Sequence, residues 1–159
     1  MMMDLTTNEL LLRLALSVIL GGIIGLNRKR HSKPAGLRTM ALVSLGSATF
    51  TLIGVESVIQ LVSIQNDPSG VVSMVRLDTS RIIAGIVGGI GFLGAGAIIQ
   101  SRGRIQGMTS ASSIWVTATI GVSVGLGLYI LAIATTFLAF IVLVMHHWYN
   151  GDVEESTDE

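Results

Sequence analysis

Few residues in this chain have both the type and the spacing that chemistry requires. Gly89-Ile90-Gly91-Phe92-Leu93-Gly94 matches G-x-G-x-x-G letter for letter. A dinucleotide site on that motif needs a preceding strand, a following soluble helix and an acidic residue about 20 positions on to hold a ribose. No Asp or Glu occurs between Asp78 and Asp152, and Ser113 stands near where the acid belongs. The match reads instead as glycine kept for helix contact. His146 and His147 are neighbours in sequence, so on a helix they point about 100° apart and do not share one metal as a facing pair would. With His31 they read as interfacial polar residues. Cysteine is absent and no Ser/His/Asp arrangement stands out. No cofactor, metal site or nucleic-acid partner is expected, and an enzyme is the least supported class.

What remains is charge. Glu9, Arg13, Glu56, Asp78 and Arg81 fall on one side of the segment pattern described below. Two readings stay open. Hard cations such as magnesium take carboxylate oxygens, so the cluster could hold one. Alternatively the two arginines pair with carboxylates so that no charge is buried alone; with Arg13 and Arg81 both present, pairing is favoured. Glu56, in the outward half of an apolar segment, needs a partner, water or a proton. Asp78 is placed to cap the helix that follows, with Arg81 three residues on.

The elements that must carry these groups are membrane helices. Half of the 159 residues are hydrophobic and 13% are charged, against roughly 25% charged in soluble domains, and mean hydropathy is +0.72. Apolar runs cover Leu10–Leu26, Leu37–Ile64, Ile82–Ile99 and Met108–Met145, the last interrupted near Gly125-Leu126-Gly127. A crossing takes about 20 such residues. The alternation expected of a membrane β-barrel is missing. The fold class is therefore all-α, a polytopic transmembrane bundle of about five spans over residues 1–145, with a short acidic tail over 146–159. A four-crossing arrangement with one broken helix is the alternative, because the last run is short for two spans. The first segment reads as an uncleaved helix, since Asp4 and Glu9 replace a basic flank and no A-x-A site follows. Trp148 and Tyr149 suit an interfacial belt.

Basic residues set the orientation. Arg28, Lys29, Arg30, Lys33 and Arg38 lie in the first loop and Arg102 and Arg104 in the third, which places both loops in the cytoplasm, the N-terminus outside and the C-terminus inside. Small residues recur for helix contact: Ser17, Gly21 and Gly25; Gly85, Gly88, Gly89, Gly91, Gly94 and Gly96; and Thr109, Ser113, Thr117, Gly121 and Gly125. The glycine-rich third segment is expected to be the central helix.

Three stretches, GLNRKRHSKPAGLRT, LDTSRIIAGIVGGIGFLGAGAII and RGRIQGMTSASSIWVTATIGVSVGLGLY, together resemble the MgtC/SapB family of bacterial and archaeal membrane proteins, over roughly residues 9 to 145. Arg28, Pro34, Gly36, Arg38, Asp78, Arg81, Gly91, Gly94, Gly96, Gly107, Thr109 and Trp115 match that family's characteristic positions. Asn27 stands where the family usually has Glu, Met40 where it often has His, and Thr79 in place of a Pro. Longer members add a C-terminal ACT-like domain that has no counterpart in this sequence. The resemblance implies a role around magnesium homeostasis and survival in low magnesium or acid, including inside host phagocytes. It also implies regulation of other membrane machines, the F-type ATP synthase among them, rather than transport. The expected protein is thus an oligomeric regulatory or interaction component of a prokaryotic cytoplasmic membrane. A small magnesium or ion transporter using Glu56, Asp78 and Arg81 is the runner-up, and a purely structural subunit the third reading. The cytoplasmic face, where the Pro34–Arg38 turn can meet Gly107 and Thr109, is the expected place of function.

Overall fold

The computed structural model describes residues 6–30, 33–65, 79–101 and 104–154. Five helices are connected in order: α1 (Thr7–Arg30), α2 (Leu37–Gln65), α3 (Thr79–Gly96), α4 (Met108–Gly125) and α5 (Tyr129–Glu154). Between α3 and α4 the chain forms a two-stranded antiparallel hairpin, β1 (Ile99–Ser101) and β2 (Arg104–Gln106), with Ile99 opposite Gln106 and Ser101 opposite Arg104. That connection was expected as a plain loop. α5 continues past Met145 to Glu154, so the first part of the acidic tail is helical. With no proline in the way, the i→i−4 ladder simply propagates.

α1, α2 over Leu37–Gln60, and α3 are each long and apolar enough to cross a membrane. The apolar part of α5, Tyr129–Met145, is shorter. Polarity is arranged as in a lipid solvent. Ile130 is 87% exposed and Phe92 80%, while Ser17, Ser44, Thr51 and Thr117 are fully buried. Three of these four hydroxyls donate to their own helices, as Thr51 does to the Ser47 carbonyl (2.8 Å) and Thr117 to the Ser113 carbonyl (2.7 Å), while Ser44 Oγ is buried without a partner. Bonding to the helix's own carbonyls satisfies hydroxyls where no water reaches.

The central helix is α4, not α3. It packs against α1, α2, α3 and α5, whereas α3 packs chiefly against α2 and α4. Bare backbone allows close approach between helices, and the closest approaches involve α1 and α4. A Cβ built on Gly121 would lie 2.2 Å from the Ser44 carbonyl oxygen, and one on Gly25 2.6 Å from the Leu37 Cα. Gly21 meets Ser44 Cβ at 2.6 Å and Gly125 meets Thr51 Cβ at 2.7 Å. On α3 only Gly94 has such a neighbour, Ala111 at 3.7 Å; Gly85, Gly88, Gly89, Gly91 and Gly96 face open space. Dispersion needs atoms on both sides of a contact, so a face of glycines with nothing laid against it cannot hold a helix at the centre of a bundle.

Candidate functional site

At one end of the bundle Arg28, in the last turn of α1, is only 3% exposed. Its guanidinium spans three parts of the chain. Nη1 donates to Ser113 Oγ (3.0 Å), Nη2 to Ser110 Oγ and to the Pro34 carbonyl (2.9 Å), and Nε to the Ala35 carbonyl (3.1 Å). Ser113 passes the chain on, its hydroxyl donating to the Thr109 carbonyl at 2.6 Å. Among the described residues no carboxylate pairs with Arg28; the one ion pair is Glu9–Arg13. The charge is met by oriented neutral oxygens, which a rigid five-donor fork can reach and a single ammonium cannot. The turn that supplies two of those oxygens requires Ala35 at φ 57°, an uncommon conformation for a residue with a Cβ.

Gly107 closes the same end. It sits at φ 90°, directly before α4, and a Cβ there would lie 2.0 Å from the Ala97 carbonyl oxygen. No other residue fits that turn between the hairpin and α4. The Pro34–Gly36 turn and the start of α4 therefore do meet, with Arg28 as the link. Of the two serines that make the contact, the sequence marks Ser113 only as one of a series of small helix-contact residues and does not single out Ser110. Their three-residue spacing on one helix face was the available signal.

The opposite end of α4 is held by a second arginine of α1. Arg13 Nη1 donates to the Gly125 carbonyl (2.7 Å), Nη2 is paired with Glu9, and the guanidinium lies 6.0 Å from the centre of the Tyr129 ring. A cation at a helix C-terminus is the favourable polarity for the helix dipole. The pairing of Glu9 with Arg13 realises one half of the neutralisation reading. For the other half, no ion pair joins Glu56 to Arg81 among the described residues, Arg81 is exposed, and Glu56 Oε2 is buried without a partner; a pairing of Arg81 with Asp78 falls outside those residues. Asp78 and Arg102 lie outside the described residues, as do the side chains of Arg104, His146 and His147. Arg38 and Thr109 are exposed. Trp115 is 47% exposed and borders an apolar cavity of about 250 Å³ between α3 and α4. Met40 is fully buried, its Sδ lying 3.4 Å from Thr117 Oγ1. No group of three His, Cys, Asp or Glu side chains gathers among the described residues.

The MgtC family model matches residues 14–151, nearly the whole chain. The chain belongs to the MgtC family. This MgtC-family protein is 40% identical over 141 residues to YhiD of Escherichia coli (strain K12), a candidate magnesium transporter by name, covering 89% of this chain and 62% of YhiD. It is 37% identical over 140 residues to SrpB of Synechococcus elongatus, covering 82% of this chain and 71% of SrpB. It is 39% identical over 126 residues to the protein MgtC of Brucella abortus, covering 79% of this chain and 46% of that protein. This chain thus spans about half to two-thirds of the length of YhiD and of the Brucella protein. No solved structure matches it. Like its family, it is a multi-pass membrane protein. The matched region includes the whole Arg28 cluster and begins just after Arg13.

Proposed function

We propose that this protein is a regulatory or interaction component of a prokaryotic cytoplasmic membrane that acts on other membrane proteins in magnesium and ion homeostasis. The N-terminus lies outside and the C-terminus in the cytoplasm. The observation that carries this reading is a bare face on α3. Ala84, Gly88, Gly91 and Ala95 recur at four-, three- and four-residue intervals, all exposed, with open space beyond Gly88 and Gly91. Small residues on a membrane helix are the usual seat for another helix, and in this chain α3 leaves that seat unused. Both buried arginines, by contrast, are engaged in holding α1 to its neighbours. The partner is another membrane protein, the F-type ATP synthase being the one the family resemblance implies. Further copies of this chain are the other candidates.

Gly91→Leu keeps the monomer's packing, since nothing lies within 4 Å of an added Cβ. Crosslinking of the full chain in native membranes is expected to capture a membrane partner at least tenfold less with Gly91→Leu than with the unaltered chain, at equal abundance. Equal capture by both overturns the reading.

A second reading, ion transport, is favoured by the unpartnered, buried Oε2 of Glu56 and by the name given to YhiD. A lone intramembrane carboxylate is a common mark of an ion path. Purified protein in liposomes is expected to give no magnesium flux above empty vesicles. Flux that disappears with Glu56→Gln establishes transport instead.

A further inference from the structure

A groove of about 720 Å³ opens between α2 and α3. Its walls are apolar, with Leu42 and Phe50 on the α2 side and Leu93 on the α3 side. Its floor is low because Gly46, Gly85 and Gly89 line it, and a Cβ on any of the three would meet nothing within 4 Å. This face of α3 is distinct from the Ala84–Ala95 face above.

The groove is a wedge with one closed end. At Gly54 the two helices touch: a Cβ there would lie 2.7 Å from Ile82 Cδ1. From that contact they diverge toward Leu93 and the start of α2, where Arg38 borders the open end. Arg38 is exposed, and it makes no hydrogen bond or ion pair with the described residues.

The charge at its open end identifies the occupant. From Arg38 to the Gly54 contact α2 runs 54 − 38 = 16 residues, or about 24 Å, an apolar slot with one exposed cation at its mouth. A cation at the mouth of an apolar slot of that depth complements a phosphate above a hydrocarbon tail. The first backbone N–H groups of α2, which lack partners within the helix, point the same way.

We propose that the α2–α3 groove binds one anionic phospholipid from the leaflet on the Arg38 side. Its phosphate pairs with Arg38, and one acyl chain lies along the apolar wedge between α2 and α3. The site does not depend on which partner or ion the protein serves.

Native mass spectrometry of the delipidated full chain, titrated separately with phosphatidylglycerol and phosphatidylcholine, tests this. Phosphatidylglycerol is expected to bind about tenfold more tightly, the scale of one charge-assisted contact. Arg38→Gln should erase the preference and Arg38→Lys should keep most of it. Gly85→Leu should abolish adducts of both lipids by filling the floor. Arg38 is exposed, so its variants test the headgroup contact without disturbing the core even if Gly85→Leu proves unstable. Equal binding of the two lipids by the unaltered chain overturns the proposal, as do adducts that persist undiminished in a folded Gly85→Leu. A dimer that replaces the lipid adducts and is lost in Gly85→Leu also overturns it, assigning the groove to a second copy.

Discussion

Gly121→Ala is expected to lower the thermal unfolding midpoint in detergent sharply, whereas Gly88→Ala, an identical change in the same membrane, raises it or leaves it unmoved. Alanine is the better helix former by about 1 kcal/mol, so propensity favours both substitutions. Packing separates them. At Gly121 the new methyl would lie 2.2 Å from the Ser44 carbonyl oxygen. That oxygen belongs to the α2 backbone and cannot swing aside, so α2 and α4 must move apart. Overpacking of well-filled cores costs typically about 1–3 kcal/mol, and backbone on both sides puts this site at the upper end. At Gly88 nothing lies within 4 Å, leaving a gain of about 0.5–1 kcal/mol. Unfolding midpoints of the two variants, measured side by side, decide the matter; a fall of equal size in both would show that α3 is as tightly packed as α4.

Arg28→Ala is expected to be the second large loss. It removes donors to the Pro34 and Ala35 carbonyls and to the hydroxyls of Ser110 and Ser113. Hydrogen bonds to charged groups contribute about 1.5–3 kcal/mol each, and stranded buried acceptors add their desolvation cost. Serine 113 keeps its bond to the Thr109 carbonyl, so the carbonyls of the α1–α2 turn bear most of the damage. A loss of about 2–4 kcal/mol follows, too small for the full sum because the turn can relax toward water. Arg28→Lys recovers less than half of it, since one ammonium cannot serve the turn and α4 together. Unfolding midpoints of the three proteins check the order, and proteolysis between α1 and α2 should accelerate in parallel. Full rescue by lysine would mean that only the charge matters.

Much of this protein was legible in its residues. Apolar runs of membrane length, glycine and serine at four-residue intervals, and a basic first loop were enough to infer an all-α membrane bundle, because hydropathy and helical period are local properties of the chain. The three motif stretches pointed to the MgtC family, and the family model bears this out. The glycines of α3 show where local reading stops. Gly85, Gly88, Gly89 and Gly91 look in sequence like Gly21, Gly25, Gly121 and Gly125, yet only the second set has a neighbour pressed against it. A glycine says that another backbone can come close, not that one does. The partner is chosen by how all five helices share the space. For the same reason the sequence could not make α4 the central helix, nor tell that Arg28 would be spent on Ser110, Ser113 and the Pro34–Ala35 turn. The bonds to Ser110 and Ser113 join residues more than 80 positions apart, and only the packing of α1 against α4 brings them within reach.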